Sequence, residues 1–207
     1  MPKSSFLAAA AVLTGLFASW AMTSDAIAAS KSAIFAGGCF WCVEADFDSV
    51  PGVLSTTSGY IGGSAKTASY KAVSAGGTGH YEAVEIVYDP ARVSYDRLVH
   101  IFWRSVDPTD AGGQFCDRGS SYKTGIFTMN EAERKIARAS KNKAAAALGQ
   151  KIVTRIVNAG KFYKAEAYHQ NYYTRNPIRY KVYRYGCGRN KRLRALWGGQ
   201  ALAGITH

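Results

Sequence analysis

Cys39 and Cys42 stand three apart in "AGGCFWCVEADF", directly behind Gly37 and Gly38 and ahead of a run that reads as helix. A thiol placed just after a Gly-Gly turn falls at a helix N-terminus, where unpaired backbone N–H groups and the helix dipole favour an anion. Such a setting, or a CxxC spacing, can bring a cysteine pKa from about 8.5 to roughly 3.5–7.5 and so create a nucleophile at neutral pH. Three chemistries use this spacing: a metal clip, a thioredoxin-like dithiol, and a nucleophile with a neighbouring thiol. Zinc needs four ligands, normally two such clips or one clip and two histidines. Here Cys116 and Cys187 are single, and His80, His100, His169 and His207 are scattered, so no metal is expected. A thioredoxin-like motif usually follows an initial βα unit, whereas this pair opens the chain behind its leader. That reading stays as the alternative, a thiol-disulfide exchange protein using Cys39 and Cys42. Phe40 and Trp41, between the thiols, read either as core aromatics or as an apolar wall for a small side chain.

The elements that must carry these residues alternate irregularly. Lys31 to Ala36 is a short apolar run, Phe40 to Ser49 a helix stopped by Pro51-Gly52, and Val53 to Tyr60 a strand ending at Gly62-Gly63. "YEAVEIVYDP" sets Ala83, Val84, Ile86 and Tyr88 against Glu82 and Glu85, which reads as a strand closed by Asp89-Pro90. Ser94 caps a helix carrying Leu98, Ile101, Phe102 and Ser105 on one face. Asp107 to Ser121 reads as a Gly- and Asp-rich loop, "YKTGIFTM" as a strand, and Asn130 as the cap of a long basic helix to about Leu148. Lys151 to Val157 reads as another strand, and "AYHQNYY" as a helix ended by Pro177. The count predicts an α+β single domain, a small mixed or antiparallel sheet with packed helices. A dinucleotide-binding fold fits poorly, because no Gly-rich turn has the right spacing.

The blocks "GGCFWCVE", "SGYIGG", "ASYKAV", "GTGHYEAVEIVYDP", "FCDRGSSY" and "AYHQNYY", in this order from about Phe35 to Tyr172, resemble those of the type A peptide-methionine sulfoxide reductases. The resemblance implies a domain of ferredoxin-like character that reduces the S-epimer of methionine sulfoxide, free or in oxidised proteins. It implies no bound cofactor, and renewal by an external thioredoxin-like dithiol. Carried over by position, the nucleophile is Cys39, the aromatic methyl pocket Phe40 and Trp41, and the acid Glu82, with Tyr70, Asp117 and Tyr122 contacting the sulfoxide oxygen or water. The chemistry agrees, since thiolate attack on a sulfoxide needs a proton donor for its oxygen. By themselves, Glu82 reads as a polar residue on an alternating strand, Tyr70 and Tyr122 as half-buried aromatics, Asp117 as a turn residue and His169 as a packed structural histidine. Two thiols depart from the pattern: Cys42 stands where the family often has Gly, and Cys116 where it often has Asn. For the thiol that resolves Cys39 the expectation is Cys187, which lies between Gly186 and Gly188 in a tail with backbone freedom, the region from which the family commonly sends its resolving thiol. Cys42, one helical turn from Cys39, and Cys116 are the alternatives.

The chain opens with one Lys, an apolar run from Phe6 to Met22 and the small residues Ala26 to Ala29. This is the pattern of a cleaved secretory signal over residues 1–29, leaving 30–207 as an exported, periplasmic or secreted domain. Of the 26 Lys and Arg, 17 follow residue 133, with Glu166 the one acidic residue among the 14 to do so. The basic half reads as a solvated face, and no nucleic-acid-binding signature accompanies it. Contact of the basic tail with an anionic membrane surface is the lesser reading, and a monomer is expected.

Overall fold

The structure is a computed structural model describing Met1 and residues 29–206; the leader assigned to residues 1–29 therefore lies almost wholly outside the described residues. In chain order the elements are β1 (Lys31–Gly37), α1 (Phe40–Asp48), β2 (Val53–Ile61), α2 (Tyr70–Ala75), β3 (Tyr81–Tyr88) and α3 (Tyr95–Ser105). Then follow β4 (Gly113–Gln114), β5 (Asp117–Arg118), β6 (Thr124–Thr128), α4 (Glu131–Leu148), β7 (Arg155–Asn158) and β8 (Phe162–Lys164). The tail adds α5 (Tyr172–Arg175), α6 (Pro177–Gly186) and α7 (Arg189–Trp197).

Six strands form one mixed sheet in the order β7-β6-β1-β3-β2-β8, with β6 and β7 parallel and the other neighbours antiparallel. The α+β expectation holds. Side chains alternate across the pleat, so β1 sends Ala33 and Phe35 to the main core, and Ile34 and Ala36 to a smaller cluster with Ile61, Ala83 and Phe127. In the main core Phe35 meets Phe47 of α1 at 5.4 Å and Phe102 of α3 at 5.1 Å between ring centroids. α3 forms because Leu98, Ile101, Phe102 and Ser105 share a buried face and the Ser94 side chain accepts from the Arg97 N–H. Asn130 caps α4 in the same way through the Glu133 N–H, and Ser140 of α4 accepts from the Trp103 indole at 2.9 Å.

The tail differs from expectation. Pro177 does not merely end a helix; it opens α6 from a first-turn position where its missing N–H costs nothing. "AYHQNYY" is broken at Asn171, whose φ of 51° separates a 3₁₀ turn at Ala167–His169 from α5. Nor is the basic half wholly solvated. Arg184 and Arg189 are buried, pairing with the buried Asp46 of α1 at 2.8 and 3.7 Å. Arg189 also donates to the Gly37 and Ser105 carbonyls. Long-range pairing of this kind fixes α6 and α7 onto α1 and the turn before it, and it left no local signal in the sequence. Among the described residues no helix is long and apolar enough to cross a membrane.

Candidate active site

The turn between β1 and α1 builds the centre of the site. Gly38 has a φ of 84°, and a side chain there would bring its Cβ to 2.5 Å from Gln114, so only glycine turns the chain and lets the 107–121 loop approach this closely. Gln114 anchors that loop, accepting from the Asp107 N–H and donating to the Asp107 carbonyl. Cys39 then occupies the cap position of α1, its carbonyl accepting from the Cys42 and Val43 N–H groups.

Glu82 comes up from beneath. Residues 82, 84 and 86 point to one face of β3 and residue 85 to the other, so Glu82 cannot share a polar face with Glu85. It joins Val84 and Ile86 under α1 and is 2 % exposed. There its Oε2 accepts from the Phe40 N–H at 3.1 Å. Burial raises its pKa from 4.5 to about 8, outweighing the Phe40 bond, which favours the ionised form. Glu82 is therefore a neutral acid at pH 7, with one oxygen held by the backbone and a proton to give.

A cavity of about 70 Å³ gathers Cys39, Phe40, Trp41, Tyr70, Glu82, Asp117, Tyr122 and Tyr183. It brings together every residue that the sequence assigned to nucleophile, acid, aromatic wall and oxygen contacts, and adds Tyr183 from α6. Its size suits the head of one side chain rather than a whole drug-sized ligand, which needs roughly 300 Å³ or more. A larger cavity of about 660 Å³ lies between α6 and α7, but neither a thiol nor a carboxyl lines it.

Packing holds the walls in place. Trp41 donates its indole N–H to His169 Nδ1 at 3.0 Å and stacks on Tyr172 at 3.7 Å between centroids, tilted by 7°. His169 is 1 % exposed and touches the rings of Phe40 and Tyr70 at 4.8 and 4.4 Å. Burial lowers its pKa, consistent with a neutral ring whose Nδ1 accepts, the packed role expected for it. Glu166 fixes Tyr70 by accepting from its N–H at 2.8 Å and from the Tyr60 hydroxyl at 2.8 Å. Asn171 N–H donates to Glu44, and Gln170 pairs like a strand with both polar groups of the Ser58 backbone.

The thiol arrangement differs most from the sequence reading. Cys116 and Cys187 form a disulfide with their Cα atoms 4.8 Å apart, while Cys39 and Cys42 are free and buried. Cys187 is not on a loose tail: it caps α6, and α7 begins two residues later. Flanking glycines suggested freedom, but they serve here as the tight junction of two helices. The partner of the Cys39 thiol is Cys42, through a hydrogen bond between the sulfurs. Burial, then Cys42 and Glu82, push the Cys39 thiol up; the bond from Cys39, then Arg189 and Arg184, bring Cys42 down to about 7. The helix-start argument anticipated a lowered Cys39. Instead Cys39 is held towards the thiol, and Cys42, beside the tail arginines, is the member of the pair drawn towards the thiolate. The densest group of metal-type ligands among the described residues is Cys116, Asp117 and Cys187, within 4.8 Å of one another. Two of those three are bonded together.

The sequence missed Tyr183 and the Cys116–Cys187 pairing. The available signal was the four-residue spacing of Tyr183 and Cys187, which puts both on one helix face.

Comparison with known proteins agrees with this geometry. The sequence model of a family described as peptide methionine sulfoxide reductase matches residues 31–201. The chain is 55 % identical over 175 residues to peptide methionine sulfoxide reductase MsrA 2 of Rhizobium meliloti, covering 84 % of this chain and 87 % of that one. It superposes on methionine sulfoxide reductase A of Corynebacterium diphtheriae with a TM-score of 0.65 at 34 % identity, covering 72 % of this chain and 76 % of that one. Against reduced Mxr1 from Saccharomyces cerevisiae the TM-score is 0.68 at 31 % identity, with 72 % and 86 % of the two chains covered. With the family model spanning nearly all of the described domain and Cys39, Glu82, Phe40 and Trp41 converging on one cavity, the chain belongs to the peptide methionine sulfoxide reductase family.

Proposed function

We propose that this protein reduces the S-epimer of methionine sulfoxide to methionine, free or within oxidised proteins, and so repairs them. The observation that carries this reading is that Cys39 and a neutral, buried Glu82 face one small aromatic-walled cavity. The methyl group rests on Phe40 and Trp41, and the sulfoxide oxygen is directed towards Glu82, Tyr70 and Tyr122. Cys39, its proton passing to the neighbouring Cys42 thiolate, attacks sulfur as the thiolate, Glu82 gives its proton to the oxygen, and methionine departs while the oxygen stays on Cys39 as a sulfenic acid. One thiolate, one proton and one sulfoxide give one sulfenic acid and one thioether.

A second thiol then displaces water from the sulfenic acid and forms a disulfide. The geometry supports Cys42 over Cys187 for this step. Cys42 already bonds the Cys39 sulfur and tends towards the thiolate, whereas Cys187 is engaged with Cys116. An external dithiol, of the thioredoxin-like class, takes the disulfide back to two thiols and leaves oxidised. The reading requires no metal or nucleotide. The leader pattern supports export and action outside the cytoplasm.

The test is methionine release with a chemical dithiol as reductant, followed by a disulfide map after a single turnover. The reading expects steady methionine release that Cys39→Ser abolishes, and a Cys39–Cys42 bond in the map. A pure thiol-disulfide exchange protein would release no methionine. A bond between Cys39 and Cys187 or Cys116 would reassign the resolving thiol.

A further inference from the structure

Tyr183 stands apart from the residues that the family resemblance assigned to the site, and two independent contacts bring it there. Its hydroxyl donates to Asp117 Oδ2 at 2.5 Å, and its side chain lines the same small cavity as Cys39. Its ring stands edge-on to Trp41, 5.8 Å between centroids at 78°. Tyr183 therefore faces the cavity that holds the Cys39 sulfur while it bonds an acidic wall residue and packs on the aromatic wall.

The Cys116–Cys187 disulfide joins the two segments that this hydroxyl bridges. Cys116 adjoins Asp117 in the chain. Cys187 lies one turn beyond Tyr183 on α6, its N–H donating to the Tyr183 carbonyl at 2.9 Å. The remaining anchors of α6 point towards α1: Arg184 pairs with Asp46, and Tyr180 packs with Cys42 and Ala45. Opening the disulfide would leave α6 docked on α1 and loosen mainly the side that presents Tyr183 to Asp117.

We propose that Tyr183 is a further catalytic residue, hydrogen-bonding the Cys39 sulfur during its conversion to the sulfenic acid, and that the Cys116–Cys187 disulfide is the strap that positions it. This rests on Cys39 being the nucleophile. The phenol has one proton and two acceptors, the Asp117 carboxylate and the sulfur. When Cys39 is a thiolate, the O–H can turn from Asp117 to the sulfur and hold it aimed into the cavity. When oxygen arrives on sulfur, the same phenol can bond the new hydroxyl. No proton is consumed, so Tyr183 adds orientation and charge stabilisation to the acid step of Glu82. Because Cys116 is exposed and Cys187 half-buried, the strap is open to external thiols. The alignment of Tyr183 therefore depends on the redox state of a pair that need not take part in the chemistry.

The experiment is single-turnover methionine release without added reductant. It compares the wild type in the thiol state of the structure, confirmed by a disulfide map, with Tyr183→Phe, with Cys116→Ser/Cys187→Ser, and with the triple variant. Loss of a hydrogen bond to a charged group is expected to slow the first step of Tyr183→Phe about 10- to 100-fold, with substrate affinity changed less than about threefold. The double serine variant should slow in the same direction and by less. The triple variant should be no slower than Tyr183→Phe, because a strap acting through Tyr183 has nothing left to position. A Tyr183→Phe rate within about twofold of the wild type would overturn the catalytic role. Additive losses in the triple variant would overturn the strap. Cys39→Ser, run alongside, isolates the underlying reading: methionine release by that variant would mean that the nucleophile, not Tyr183, is misassigned.

Discussion

Glu82→Gln should make the protein a worse catalyst and, above neutral pH, a more stable one. The amide keeps the shape of the carboxyl and can still accept from the Phe40 N–H, the bond that holds Glu82 at 3.1 Å, but it has no proton to release. A positioned acid contributes about 10²–10⁴-fold, and sulfenic acid formation should slow by that much with substrate binding little changed. Stability moves the other way. Below the ordinary carboxyl value of 4.5 the side chain is protonated in the folded and unfolded chains alike, so its ionisation costs nothing. As the pH rises towards the folded value of about 8, the unfolded chain has released a proton that the fold retains, and stability is lost across that window. The full shift corresponds to about 5 kcal/mol as an upper bound. At about 2–4 °C per kcal/mol for a domain of this size, the difference in Tm is measurable even if relaxation removes most of it. The assays are single-turnover methionine release and thermal unfolding of both proteins at pH 5, 7 and 9. Glu82→Gln should gain on the wild type in Tm from pH 5 to pH 9, and the wild-type first step should fall as pH passes about 8. An unchanged first step would refute the acid role, and a Tm difference that ignores pH would refute the buried neutral carboxyl.

Cys42→Ser should release about one methionine per chain and then stall with a thioredoxin-like reductant; steady turnover with that reductant would move resolution to another thiol. Gly38→Ala combines a φ of 84° with a Cβ 2.5 Å from Gln114 and should cost more than about 1 kcal/mol in denaturant unfolding, with activity falling as the 107–121 loop is pushed away. Asp46→Asn removes the charge facing Arg184 and Arg189; it should destabilise by about 3–5 kcal/mol, read by the urea midpoint, and loosen the docking of α6 and α7 as seen by amide exchange.

Elements with a clean local period were legible in the sequence. α3 carries its apolar face and its Ser94 cap within one stretch, and β3 runs from Tyr81 to Tyr88 much as its composition indicates. The place of Cys39 at the head of α1 was legible because Gly-Gly, Cys and a helix start are contiguous. Glu82 was less so. Reading it with Glu85 as a polar face ignored that residues three apart on a strand point to opposite sides, and only the sheet places it beneath Phe40. The tail was illegible for a different reason. Arg184 and Arg189 look like surface charge until Asp46, more than 130 positions earlier, is brought against them, and Cys187 looks mobile until Cys116 closes on it. Tyr183 enters the site through its contacts with Asp117 and Trp41, and its four-residue spacing from Cys187 was the one local hint.

The most direct test of the central claim is to follow the oxygen. Cys42→Ser, which retains Cys39 but cannot form the Cys39–Cys42 bond, is mixed with the S-epimer of methionine sulfoxide carrying a heavy oxygen isotope, and the Cys39 peptide is analysed by mass spectrometry after capture with a sulfenic-acid reagent and by intact mass before it. Transfer predicts one labelled oxygen per chain on Cys39, matched by one methionine released, with the R-epimer giving neither. Methionine released with Cys39 unmodified and the label in water would contradict it.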